Sequence, residues 1–152
     1  MKESLHYLLM ANQMLVQRQL LDRLKNTGLT IGQPKVLDYL TDHDGSSQKE
    51  IGEGLFLEAG SLTSILNRME KKGLIERRML NGNRRTLHVF LTEQGKSSWD
   101  LVKTAFSRIE AQGVSGISSE EYDAFMKNVP ENLYENLMKP EQNEKLEEER
   151  EG

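Results

Sequence analysis

Residues 47–95, SQKEIGEGLFLEAGSLTSILNRMEKKGLIERRMLNGNRRTLHVFLTEQG, carry a hydrophobic pattern that switches from helical to strand spacing at Gly73, and that switch decides the fold. Ser47-Gln48-Lys49-Glu50 has the spacing of a capping box, in which the serine oxygen takes a free backbone N–H and the glutamate reaches back to the serine N–H. A short helix should begin there. Gly52 and Gly54 each cost it roughly 0.8–1 kcal/mol relative to alanine, so Ile51 and Leu55 must hold it by packing, with Gly52 allowing a neighbour to approach closely. A second helix is expected over Ser61 to Lys72. Leu62, Ile65, Leu66 and Met69 form one stripe at i, i+3, i+4 and i+7, which leaves Ser64, Asn67, Arg68 and Lys71 on the opposite face. Gly73 is a C-terminal stop. Beyond it, Leu74–Leu80 and Thr86–Leu91 alternate as two short strands around Asn81-Gly82-Asn83, and Asn-Gly is a strong hairpin signal. Arg84-Arg85 then lies at the hairpin tip. If both belong to a strand, they point to opposite faces and only one can enter a groove.

The flanks are helical. Upstream, Leu5 to Leu24 keeps helical spacing without Gly or Pro, and a second helix over Pro34 to Leu40 uses Pro34 in its first turn, where the missing N–H costs nothing. Tyr7, Met10 and Val16 widen the apolar face of the first helix beyond one stripe, enough to cover two surfaces. Downstream, Trp99, Val102, Phe106 and Ile109 recur at helical spacing until Gln112–Gly116 interrupts them. A last stripe from Tyr122 to Met138 crosses Pro130, where a helix must kink or split. The chain thus reads as mainly α with a small β-hairpin wing (α+β). It divides into an N-terminal dimerisation helix (1–28), a winged helix-turn-helix (29–95), C-terminal dimerisation helices (96–139) and an acidic, disordered tail (140–152).

At 152 residues, the chain is of a size for one compact unit. Its longest unbroken apolar run, Tyr7 to Ala11, is too short to cross a bilayer, so no membrane association is expected and a cytoplasmic location fits. Absent cysteine excludes disulfides, thiolate metal ligands and thiol chemistry. The net charge of −4 conceals a polarised molecule. Residues 1–112 hold 16 Lys/Arg against 13 Asp/Glu, whereas residues 113–152 hold 4 against 11. Within 66–86, Arg68, Lys71, Lys72, Arg77, Arg78, Arg84 and Arg85 face only Glu70 and Glu76, a local excess of five positive charges.

No enzyme-like pattern survives inspection. Gly113-Val114-Ser115-Gly116 misses the spacing of a nucleophile elbow, and Gly52-Glu53-Gly54 lacks both the third glycine and the preceding strand of a dinucleotide fingerprint. His6, His43 and His88 fall on separate elements, so neither a metal site nor a bound cofactor is expected. What remains is a capped helix, an amphipathic helix with a basic outer face and an arginine-tipped hairpin. Such a helix fits the DNA major groove. Ser61, Thr63 and Ser64 are small enough for close backbone approach, Asn67 suits adenine, Arg68 suits guanine, and Lys71, Lys72 and Arg78 suit phosphates. The alternative is a winged-helix interaction module that turns the same basic face to acidic protein partners.

From Leu29 to Gly95 the chain resembles the MarR family of bacterial transcription regulators. The resemblance rests on Leu29-Thr30 with Gln33, Ser47-Gln48-Lys49-Glu50-Ile51, Gly60-Ser61-Leu62-Thr63, the run Arg68-Met69-Glu70-Lys71-Lys72-Gly73-Leu74-Ile75-Glu76-Arg77, and Asn83-Arg84-Arg85 leading to Leu91-Thr92-Glu93-Gln94-Gly95. It implies a homodimer joined through its terminal helices, binding double-stranded DNA and released by a small molecule or an oxidant. Arg85 occupies the place of the family's minor-groove arginine, and Asn83 replaces the acid of the common Asp-x-Arg wing. The recognition helix is similar to that of the peroxide-sensing branch, whose sensing cysteine this chain lacks. A small aromatic or apolar effector is therefore expected, with Tyr7, Met10 and Met14 as candidate contacts.

Overall fold

The structure is a computed structural model that describes residues 2–139; the acidic tail expected at 140–152 lies outside the described residues. Helix α1 (Leu5–Arg23) is capped by Ser4, whose Oγ accepts from the Tyr7 N–H at 3.3 Å, and its last turns send Leu20 and Leu24 into the core. Helix α2 (Gln33–Asp42) extends one residue before and two beyond the expected span, with Pro34 in its first turn and Val36, Leu37 and Leu40 inaccessible.

Helix α3 (Gln48–Leu55) begins at the serine cap as the spacing predicts, but only half of the box forms. Ser47 Oγ accepts from the Glu50 N–H and donates to Glu50 Oε1, both at 3.1 Å, so the carboxylate takes the hydroxyl proton instead of the backbone N–H. A complete box occurs at Ser118 and Glu121, a Ser-x-x-Glu that the sequence reading passed over. Gly52 serves as expected: a Cβ there would lie 3.1 Å from the Leu57 carbonyl oxygen and 3.6 Å from Leu62 Cδ2.

Helix α4 (Ala59–Lys71) starts two residues ahead of the expected Ser61, because Glu58, extended at the N-cap, lets Ala59 and Gly60 supply the first turn without a side-chain cap. It ends as Gly73 predicts. Gly73 has φ +75°, its N–H donates to the Glu70 carbonyl and the Leu74 N–H to that of Met69, the paired bonds of a Schellman motif. Strands β1 (Ile75–Met79) and β2 (Leu87–Leu91) pair antiparallel, with Ile75 opposite Leu91 and Met79 opposite Leu87. The tip is longer than the two-residue turn predicts. Asn81 and Gly82 both have positive φ and the Asn83 N–H donates to the Leu80 carbonyl, but Arg84 and Arg85 form a further turn before β2 begins. Arg84 and Arg85 therefore do not alternate as strand neighbours.

Helix α5 (Glu93–Gly113) buries Val102, Ala105 and Ile109, with Trp99 and Phe106 half-buried beside them. Its first turn is tied to the end of α4: Thr92 Oγ1 accepts from the Gly95 N–H at 3.0 Å and donates to the Gly73 carbonyl at 2.5 Å. The chain divides into two compact units, one ending at Glu110 and one beginning at Ala111, which corrects the expectation of one. In the first, α1 to α5 and the hairpin share a single core. The second holds α6 (Ser119–Asn128) and α7 (Pro130–Leu137), split at Pro130, and neither helix has a buried residue. That lack of burial is why the length argument fails for this segment.

Two glycines test the packing. A Cβ on Gly95 would overlap the Leu74 backbone carbonyl, whereas one on Gly60 meets nothing within 4 Å. In urea unfolding, Gly95→Ala should lose about 1–3 kcal/mol through overpacking and Gly60→Ala should gain roughly 0.5–1 kcal/mol. Equal effects would contradict this packing.

Candidate nucleic-acid interface

The core face of α4 sets the orientation of everything on its other side. Leu62, Leu66 and Met69 are buried, so Ser61, Ser64, Arg68 and Lys71, spaced i, i+3, i+7 and i+10, must line the exposed face. Thr63 and Asn67 are exposed beside this line, and the Thr63 hydroxyl folds back to donate to the Ala59 carbonyl at 2.8 Å. The structure thus gathers six of the expected contact residues on one surface.

The remaining cations divide into two groups. Lys72 Nζ donates to the Gly28 carbonyl and, at 3.2 Å, to Gln33 Oε1, fastening the end of α4 to the turn before α2. Gln33 is buried, and its Oε1 also accepts from the Thr30 N–H at 3.2 Å. Arg78 points to the other face of β1, pairs with Glu76 at 3.3 Å and lies 3.8 Å over the Phe90 ring centroid. Both were expected to face phosphates; both have partners within the chain. Arg68, Lys71, Arg84 and Arg85 have no hydrogen-bond or ion-pair partner for their side chains among the described residues.

Arg77 is the residue that sequence reasoning left without a role. Its guanidinium donates to both carboxylate oxygens of Glu70 (3.2 and 3.1 Å), to Asn67 Oδ1 at 2.8 Å and to Gln48 Oε1 at 3.3 Å, while its backbone N–H donates to Glu70 Oε2. One side chain thereby joins α3, α4 and β1. The side-chain hydrogen bonds from Arg77, ahead of its charge and its backbone N–H, hold the Glu70 carboxyl below its usual range. At the wing, Asn83 Oδ1 accepts from the Arg85 backbone N–H at 3.0 Å and Asn83 Nδ2 donates to Thr86 Oγ1 at 3.2 Å. Asn83 in the acid's place therefore braces the turn and leaves the Arg85 guanidinium exposed.

Tyr7, Met10 and Met14 fall on one exposed stripe of α1. A cavity of about 400 Å³ opens further along the helix, lined by Val16, Leu20, Ile31, Gly32 and Pro34. Of the histidines, His43 stacks on Tyr39 with centroids 4.3 Å apart, and His88 Nδ1 lies 2.8 Å from the Gly45 carbonyl.

A helix-turn-helix followed by a hairpin, with the second helix turned outward, defines a winged helix-turn-helix protein. The sequence pattern of the MarR family matches residues 27–86. The HTH-type transcriptional regulator SarZ of Staphylococcus epidermidis is 31% identical over 122 residues, covering 80% of this chain and 73% of that protein. The organic hydroperoxide resistance transcriptional regulator of Bacillus subtilis is 34% identical over 95 residues, covering 62% of this chain; the chain spans just under two thirds, 65%, of that relative's length. The solved complex of S. aureus MepR with DNA shares the fold, with a TM-score of 0.76 at 24% identity over 88% of this chain and 98% of that one. The chain belongs to the MarR family, a family of transcriptional regulators and not of enzymes.

The Glu70–Arg77 pair makes a signed prediction. A carboxyl held below its unfolded value of roughly 4.3 contributes stability above that pH and loses it as pH falls through the folded value. Glu70→Gln should therefore be less stable than wild type at pH 7, with the gap narrowing as the pH falls below the unfolded value in urea titrations. A gap of constant size would mean that the charge on Glu70 plays no part.

Proposed function

We propose that this chain is a sequence-specific DNA-binding transcriptional repressor that acts in the cytoplasm as a homodimer on a pseudo-palindromic operator. The observation that carries the reading is the exposed line of Ser61, Ser64, Arg68 and Lys71, on a helix whose opposite side is buried, with Arg84 and Arg85 exposed on the neighbouring hairpin. Arg68, Lys71, Arg84 and Arg85, which have no side-chain partner among the described residues, stand ready for an external anion. In this reading α4 enters the major groove, Asn67 and Arg68 meet base edges, and Lys71 meets phosphate. Ser61, Thr63 and Ser64 let the backbone come close. Arg85 enters the adjacent minor groove, where a narrow A·T-rich tract concentrates negative potential, and Arg84 meets backbone. Lys72 and Arg78, held within the chain, contribute charge without direct contact. The MepR–DNA complex, which has the same fold, supports this mode of docking.

Selecting duplexes from a random pool tests the reading. Arg68→Ala should then relax the preference at one position per half-site and cost roughly 1–3 kcal/mol per lost contact, while Lys71→Ala should weaken all sequences alike and flatten the salt slope by about 0.9. Arg85→Ala should narrow the gap between A·T-flanked and G·C-flanked sites. Recovery of no enriched sequence would overturn the proposal.

The dimer rests on apolar side chains left in water. Leu5, Tyr7, Leu8, Leu9, Met10, Met14 and Leu15 of α1 are exposed, as are Phe125, Met126, Tyr134 and Leu137 of α6 and α7. A soluble monomer seldom leaves so much apolar surface uncovered, and a two-fold pair would set its recognition helices about 34–36 Å apart. Light scattering at micromolar concentration should give twice the chain mass; a monomer there contradicts the assignment. Release by a small aromatic or apolar effector along α1, at Tyr7, Met10 and Met14, completes the proposal. Phenolic acids should lower operator affinity in a titration, and none doing so would remove the effector from it.

A further inference from the structure

The last turn of α1 and the middle of α5 enclose a hollow of about 380 Å³ that no residue of α4 or the hairpin lines. Its walls are divided in chemistry. Leu24 and Ala105, both buried, close the floor, and Leu101, half in water, forms an apolar rim. The polar wall consists of Arg23, Arg108 and two threonines, with no acidic residue among the described residues that line it. The threonines have spent their protons: Thr27 Oγ1 donates to the Leu24 carbonyl at 2.6 Å and Thr104 Oγ1 to the Asp100 carbonyl at 3.0 Å. A hydroxyl has one hydrogen to give, so the side-chain donors left for an occupant all belong to the two guanidiniums.

Neither guanidinium has an ion-pair or hydrogen-bond partner among the described residues. Asp22, beside Arg23 in the chain, lies 3.6 Å from Lys25 instead. The negative end of the helix dipole gives Arg23 a reason to stand in the last turn of α1. It gives none to Arg108, which lies more than a turn before the end of α5 at Gly113. Two like charges lining one hollow repel, and an anion between them reverses the sign of the interaction. An inorganic ion would answer the arginines and leave Leu101 against water. A carboxylate on an apolar body answers both, because it accepts from guanidinium N–H groups in a two-pronged pair while its hydrocarbon part covers the rim and floor. The volume, near the small end of ligand cavities, admits a compact molecule.

We propose that this hollow binds a small organic carboxylate with an apolar body, its head group held by Arg23 and Arg108 and its hydrocarbon part laid on Leu24, Leu101 and Ala105. The site lies more than two turns beyond Met14 along α1 and is separate from the effector position proposed above. An occupant that bridges the two arginines links α1 to α5.

The test titrates full-length protein calorimetrically with straight-chain carboxylates from butanoate to octanoate, and with octanol and octylammonium as neutral and cationic probes. Octanoate should bind, each methylene that fits should tighten binding about 4-fold, and neither the alcohol nor the ammonium should compete. Arg23→Gln and Arg108→Gln, at exposed positions, should each weaken octanoate roughly 10- to 100-fold. Leu101→Glu puts a competing carboxylate beside the arginines from an exposed rim and should abolish binding, which decides the matter even if an arginine variant unfolds in circular dichroism. The Nε–Hε NMR signals of Arg23 and Arg108 should move with octanoate while that of Arg68 stays. No binding to wild type, unchanged affinity in the folded variants, or equal affinity for butanoate, octanoate and the alcohol overturns the proposal. Loss of self-association in either arginine variant overturns it equally, by assigning the pair to a subunit contact.

Discussion

Burial of Leu62, Leu66 and Met69 dictates where every other side chain of α4 can lie. A helix with one apolar stripe has a single favourable rotation about its axis, and at 3.6 residues per turn that rotation leaves no freedom for the other positions. Once α4 is seated against α2 and α3, Ser61, Ser64, Arg68 and Lys71 must face water. The end of the helix is fixed as firmly: the Gly73 turn returns to the Glu70 and Met69 carbonyls, Thr92 donates to the Gly73 carbonyl, and Lys72 donates to the Gly28 carbonyl and the buried Gln33 amide. The surface that meets DNA in the proposed function is therefore an indirect product of the core.

Charge is organised in the same hierarchy. Of seven cations between residues 66 and 86, Lys72, Arg77 and Arg78 serve the fold, through a turn, a three-element junction and an aromatic ring. Arg77, with its side chain only 15% exposed and matched by Glu70, is the one best shielded from salt. The other four lie on α4 and at the hairpin tip, where small exposed residues and a turn allow close approach. A net charge of −4 for the whole chain is compatible with anion binding because the positive charges are concentrated at this surface.

What the sequence disclosed was local. The stripe of α4, the Gly73 stop, the Asn81-Gly82 turn and the break at Pro130 are signals contained within a few residues, and each appears at its position. Contacts between distant residues carried no such signal. Arg77 meets Gln48 across 29 positions and Lys72 meets Gly28 across 44, so a charge count could register these cations but not that they are occupied. The early start of α4 was hidden because Glu58 makes no side-chain cap, leaving Ala59 and Gly60 without a marker. The division into two units was missed because length measures what a chain could bury, and α6 and α7 contain no buried residue. The Ser118–Glu121 box, by contrast, was legible and overlooked.

The proposed function requires α4 and the hairpin tip to act together as one DNA-reading surface, repeated once by two-fold symmetry. Hydroxyl-radical footprinting on a selected duplex examines this without intermediaries, because it registers minor-groove and backbone contact at single-nucleotide resolution. Two equivalent protected half-sites should appear about one helical turn apart, each with an outer minor-groove protection that vanishes in Arg85→Ala. A single protected patch, or protection spread evenly along the duplex and unchanged by that substitution, would contradict it.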